Sequence, residues 1–182
     1  KRIWFGKEGN NTQRIKRFLS EVQEGTISKT IWYRTEVGDN QEAKREVKAF
    51  NDTDVFQTPK PERIIQRILA LSTSENDWVL DSFLGSGTTA AVAHKMSRKY
   101  IGIEMGDHAY THCKVRLDKV IDGTDQGGIS KAVEWKGGGG YKFYELAPSF
   151  ITIDEFGNPV IDSFYNDIKL IRAMCKLTNY TF

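Results

Sequence analysis

Two carboxylates and a glycine loop between them carry the chemistry of this chain. Asp81 closes the apolar run Trp78-Val79-Leu80, and Glu104 closes the run Tyr100-Ile101-Gly102-Ile103. Between them lie Phe83, Gly85, Ser86, Gly87, Thr88 and Thr89, then the helix-favouring Ala90-Ala91-Val92-Ala93. Strand, loop, helix, strand is the order of a parallel βαβ unit. The spacing of about 19 residues from Gly85 to Glu104 suits one. The glycines allow a tight turn and let a ligand lie against bare backbone. The free N–H groups of the first helical turn would face that ligand.

Two ligands use such a crevice. Gly85-Ser86-Gly87-Thr88-Thr89-Ala90 fits the loose G-x-G-x-x-G/A pattern of dinucleotide sites. The alternative is S-adenosylmethionine. Asp81 would repel a pyrophosphate, yet it can accept hydrogen bonds from the ammonium of a zwitterionic amino acid, which favours S-adenosylmethionine. Glu104 could accept both ribose hydroxyls of either ligand. A βα turn without a ligand is the bland alternative, since the pattern alone is weak.

The elements that must position these groups emerge from periodicity. The strand Val79–Asp81 is expected to be buried on both faces. Ahead of it, Thr58 could cap a helix with Pro59 at its first position, and Ile64, Ile65, Ile68, Leu69 and Leu71 form its apolar stripe. Lys60 lies near that helix start, where the helix dipole disfavours a cation. After Glu104, Asp107 could cap a helix running to about Ile121. His108, His112 and Cys113 lack the spacing of a metal motif and read as ordinary helix residues, and Arg116 and Lys119 as solvated ones. Val133-Glu134-Trp135 and Tyr141–Leu146 would form a hairpin with Gly137–Gly140 at its flexible tip, and Phe164–Leu177 a terminal helix.

Residues 1–57 read as a separate piece. It holds a strand over Lys1–Phe5, a basic helix from Arg14 to Leu19, a half-buried strand over Ile27–Tyr33, and a helix over Gln41–Phe50 capped by Asn40. Arg14, Lys16, Arg17, Lys29 and Arg34 interleave with Trp32 and Tyr33, a composition suited to phosphates and bases. The whole chain of 182 residues is 39% hydrophobic and 27% charged, with a net charge of +2, typical of a soluble α/β protein. No apolar run approaches a membrane span, and two cysteines with no secretory signal suit the cytoplasm.

At these residues the chain resembles a family. Asp81–Thr89 resembles motif I of amino-group DNA methyltransferases, Thr58–Ile65 their motif X, and Arg98–Glu104 their motif II. The order X, I, II is that of the β class. Within it the opening Arg2–Asn10 and the closing Cys175–Phe182 resemble the modification (Mod) subunits of type III restriction-modification systems. The resemblance implies a Rossmann-like S-adenosylmethionine-dependent methyltransferase fold, present in part, with a parallel sheet core and appended strands and helices. It implies methyl transfer to adenine N6 in double-stranded DNA. It makes Lys60, Asp81, Phe83, Gly85, Ser86, Gly87, Thr88 and Glu104 the cofactor-binding residues, with Lys60 at the methionine carboxylate. It needs no metal, and leaves N4-cytosine as an alternative target. A homodimer and a helicase–nuclease restriction subunit stand open as partners. The division expected is 1–57 beside the target-recognition region, 58–125 as cofactor-binding core, and 126–182 as C-terminal extension.

One motif of the family has no counterpart. Amino-group methyltransferases polarise the exocyclic amine with an Asp-Pro-Pro-Tyr type tetrapeptide, and stack its aromatic on the flipped base. The four prolines here stand at 59, 61, 148 and 159, and Asn158-Pro159-Val160 lacks both the second proline and the ring. With Lys1 rather than Met at its start, the chain is expected to be the C-terminal part of a methyltransferase. It should bind cofactor without methylating DNA. The readings outside this family are an NAD-dependent oxidoreductase and a DNA-binding module with a degenerate crevice.

Overall fold

The computed structural model describes residues 2–15, 17–21, 27–54 and 56–181. They divide into two compact units at Gly139–Gly140. In the first, β1 (Ile3–Trp4) pairs antiparallel with β2 (Arg14–Ile15). Arg14 and Ile15 are therefore strand, in place of the expected basic helix; Lys16 of that helix and Lys1 of the first strand lie outside the described residues. Residues 27–33 form no strand: Ile27 and Ile31 are exposed with no sheet to join, and Trp32 lies beneath the Arg67 guanidinium. A short helix α1 (Arg34–Val37) comes next, then α2 (Asn40–Lys48). Asp39, not Asn40, caps α2, its carboxylate accepting the N–H groups of Gln41 and Glu42.

The helix expected from Pro59 begins instead as α3 (Glu62–Ser72), with Pro61 in the capping position. Lys60 precedes a proline, and that contact disfavours helical backbone at residue 60. Next come β3 (Trp78–Asp81), α4 (Thr88–Lys95) and β4 (Lys99–Gly102). The two strands are parallel, Trp78 opposite Lys99 and Asp81 opposite Gly102. This is the βαβ unit that the spacing implies. Helix α4 is small-sided, with Ala90, Ala91, Val92 and Ala93 all buried, so neighbours approach it closely. Leu69, Val79, Val92, Ala93 and Ile129 form the core, with Ile65, Met96, Tyr100 and Val133 around them. The expectation of a strand buried on both faces fails, because only Val79 turns inward. Trp78 and Leu80 are each 65% exposed, so α3 and α4 cover a single face.

Beyond β4 the chain winds as a π-helix over Ala109–Lys114 and tightens into α5 (Val115–Asp122). No side chain caps its start, so Asp107 contributes only its carbonyl, to Tyr110 and Thr111. The expected hairpin around Gly137–Gly140 is absent, since residues 133–146 hold no strand. The glycines serve close approach instead. Gly138 donates to the Ile121 carbonyl and its own carbonyl meets the His94 ring, while a Cβ on Gly137 would stand 2.8 Å from the Ile121 oxygen.

The second unit holds the antiparallel pair β5 (Ile151–Ile153) and β6 (Pro159–Ile161), and α6 (Asp167–Thr178). Asp154 accepts the N–H groups of Phe156 and Asn158 and so closes the turn between the strands. Asn166 caps α6, which therefore begins three residues beyond the expected Phe164. Among the described residues no helix is long and apolar enough to cross a membrane.

Candidate cofactor-binding site

The glycine loop runs from the end of β3 to the start of α4. Gly85 and Gly87 have φ of +58° and +79°, in the left-handed region that side chains resist. Space enforces the same choice: a Cβ on Gly87 would lie 3.1 Å from the Cys113 backbone, and one on Gly85 would lie 3.2 Å from the Phe56 ring.

The two carboxylates end neighbouring strands. Leu84 N–H donates to the Ile103 carbonyl and Ile103 N–H to the Asp81 carbonyl, which ties both strand ends to the loop. Asp81 is half-buried and its Oδ1 accepts the Phe83 N–H at 3.0 Å. Glu104 Oε2 accepts the Gly85 N–H at 2.7 Å, while Oε1 accepts from Met105 and Gly106 and meets His108 Nε2 at 3.1 Å. Burial works to raise the Glu104 pKa. The N–H groups of Gly106 and Gly85, with His108 and Met105, outweigh it and hold the carboxyl below its ordinary value.

Lys60 is exposed, and its carbonyl accepts the Thr88 hydroxyl at 3.2 Å, which brings the start of α3 to the loop. Ser86 and Thr88 are buried and face each other at 3.2 Å between hydroxyls. Phe83 is 90% exposed and Met105 fully so, which excludes Phe83 from the core. The structure thus gathers Lys60, Asp81, Gly85, Ser86, Gly87, Thr88 and Glu104 about one loop, with Phe83 standing out beside them.

Some neighbours escape sequence reasoning. The Phe56 ring packs edge-on against His108 and His112, and its segment is held by His112 Nε2, 2.6 Å from the Asp54 carbonyl. Arg116, expected in solvent, is buried, its guanidinium 2.8 Å from both Thr88 Oγ1 and Glu62 Oε1. A signal exists: Arg116 shares the helical face of Cys113, Leu117 and Val120 at spacings of three and four.

The donor set fits S-adenosylmethionine better than a dinucleotide. Two carboxylates suit an ammonium and ribose hydroxyls and Lys60 suits a carboxylate, whereas Asp81 at the loop would repel a pyrophosphate.

Comparison with known proteins gives the family. A family model described as DNA methylase matches residues 2–114. A probable type III restriction-modification enzyme Mod subunit, HindVI, of Haemophilus influenzae is 62% identical over 89 residues, 49% of this chain and 12% of its own. The type II methyltransferase M2.LlaDCHI of Lactococcus lactis subsp. cremoris is 50% identical over 62 residues, 34% of this chain and 23% of its own. M2.DpnII of Streptococcus pneumoniae, also a type II methyltransferase, is 51% identical over 61 residues, 34% and 23% of the two chains. The chain therefore spans less than a quarter of the length of these relatives. With most of its residues matched by the family model and the glycine loop among them, the chain belongs to the DNA methylase family.

Proposed function

We propose that this chain is the cofactor-binding part of a site-specific DNA methyltransferase that transfers a methyl group from S-adenosylmethionine to adenine N6, as the modification subunit of a restriction-modification system. The observation that carries the reading is the pair Asp81, at the end of β3, and Glu104, two residues past the end of its parallel neighbour β4, on either side of a positive-φ glycine loop. In it Asp81 takes the cofactor's ammonium, Glu104 its ribose hydroxyls, and Lys60 its carboxylate. The backbone of Gly85, Ser86, Gly87 and Thr88 lines the crevice and the Phe83 ring packs on the ligand. When bound, the cofactor supplies an electrophilic methyl on sulfonium sulfur. The chain's part is to hold and orient it, since direct displacement gains chiefly from positioning.

In this reading the parallel pair is part of a Rossmann-like sheet. Residues 58–125 are the cofactor core, 1–57 adjoin the DNA target-recognition region, and 126–182 extend the domain. Arg14, Lys16, Arg17, Lys29 and Arg34 meet double-stranded DNA in the cytoplasm, with a second copy and a restriction subunit as partners. The chain alone binds cofactor and leaves DNA unmethylated, because it lacks the tetrapeptide that polarises the amine.

Calorimetric titration with S-adenosylmethionine and then NAD tests the cofactor. Mass spectrometry of nucleosides from DNA treated with the intact protein tests the reaction. The expected results are binding of the first ligand alone and the appearance of N6-methyladenine. N4-methylcytosine would move the target base, and binding of NAD alone would overturn the reading.

A further inference from the structure

Beneath the crevice lies an ionic cluster that the cofactor assignment does not use. Arg116 of α5 is 1% exposed. Its Nη1 donates to Thr88 Oγ1 at 2.8 Å and approaches the Ser86 carbonyl at 3.5 Å; its Nη2 donates to Glu62 Oε1 of α3 at 2.8 Å. Glu62 in turn accepts both contacts of Lys95 Nζ at 2.9 Å and the Ile129 N–H at 3.0 Å. One turn before Arg116, the Cys113 thiol donates to the Gly85 carbonyl at 3.0 Å. Burial pushes that thiol up to about 12, so it remains a donor at neutral pH. Among the described residues Arg116 Nε has no hydrogen-bond partner, and the guanidinium carbon lies 5.3 Å from the Phe50 ring centroid.

A buried guanidinium is a costly way to hold a fold, because apolar side chains of similar volume commonly do as well. What distinguishes this one is where its fork points: one arm to the loop, the other to α3. We propose that Arg116 is a positioning residue of the cofactor loop, clamping Ser86 and Thr88 to Glu62 so that the loop has its binding shape before the ligand arrives. The inference rests on the reading that this loop holds S-adenosylmethionine. A loop fixed in advance loses less conformational freedom on binding, so its affinity is higher without any added contact. Only the planar fork reaches both partners at once; an ammonium is a point charge on a flexible stem.

The test uses the intact protein, with S-adenosylmethionine titrated by calorimetry and methyl transfer followed at varied cofactor and varied DNA. Arg116→Met is expected to raise the cofactor Kd and KM by about tenfold or more, the loss of a charged hydrogen bond. KM for DNA, and kcat at saturating cofactor, should stay near the parent's. Arg116→Lys keeps the charge and one arm and should fall between the two; if the methionine variant does not fold, the lysine variant carries the test. A merely structural arginine would lower the melting temperature and leave the cofactor KM of the folded enzyme unchanged. That result in either folded variant overturns the inference while the cofactor assignment stands. A parent that binds no S-adenosylmethionine removes both.

Discussion

Above the glycine loop Phe83 and Met105 stand exposed, Asp81 ends β3 and Glu104 follows β4; below it Lys95 and Arg116 are buried and each is bonded to buried Glu62. The same few residues of backbone separate the two regions. Above, Asp81 is half-buried and accepts the Phe83 N–H, while both Glu104 oxygens already accept N–H groups of the loop and its flank. The charges below are paired inside the protein, because a buried charge without a partner costs several kcal/mol. The difference teaches that a binding loop needs two kinds of polar residue: replacing an upper one should cost affinity with little stability, and replacing a lower one should cost stability, with affinity lost as well at Arg116.

The comparison breaks first at Lys95. Lys95→Met takes from buried Glu62 one of its two cations, leaving Arg116, and removes the cation paired with Asp125; it should cost about 3–5 kcal/mol, or on the order of ten degrees in melting temperature. Thermal unfolding checks it; a shift of a degree or two would mean that the cluster is not closed to water.

Glu46 of α2 makes the next test: its carboxylate accepts the Glu62 N–H at 3.1 Å and lies 3.6 Å from Arg116 Nη2. Burial, then the charge of Glu62, raises its carboxyl from 4.5 to about 7, against the pull of Arg116. A raised pKa means the folded state holds the proton more tightly. The contribution of Glu46 to stability should therefore be fullest below pH 4.5 and decline as pH rises through 7. The loss is on the order of 2–3 kcal/mol. Glu46→Gln stays neutral and should flatten the profile of melting temperature between about pH 5 and 8; parallel profiles would reject the assignment.

Gly85→Val sits on the boundary. Its φ of +58° is strained for a β-branched residue and the new side chain would press on Phe56. The expected loss of stability is about 1–3 kcal/mol, with cofactor binding abolished by calorimetry and the circular dichroism of the fold retained. A variant that binds like the parent would move the cofactor away from this loop. Smallest in stability is Asp81→Ala, under about 1 kcal/mol, yet it should weaken cofactor binding by about tenfold or more, beyond the effect of Glu104→Ala. Equal or reversed losses would show that no ammonium faces Asp81.

The upper region is legible in the sequence and the lower one is not. Asp81, Gly85, Gly87 and Glu104 are close in the chain and bounded by apolar runs, so spacing alone places them together. Glu62 and Arg116 are 54 residues apart, and their pairing depends on how α3 and α5 pack. Glu62 at a helix start looks like an ordinary dipole partner. The strand expected over Ile27–Tyr33 fails for a related reason: alternation promises a strand only where a sheet is present to accept it. The helix expected from Pro59 starts later because Lys60 precedes a second proline.

The π-helical turn at Ala109–Lys114 has a consequence for inheritance. Such turns hold one more residue than the α-helix around them would. Removing one residue there would let an ordinary helix form while the rest of α5 kept its face, whereas removing one from α5 itself would rotate all that follows by about 100°. Arg116 would keep Thr88 in the first case, while in the second Leu117 and Val120 would leave the buried side. Single-codon deletions should therefore be tolerated better in the π-helical segment than in the α-helix it leads into.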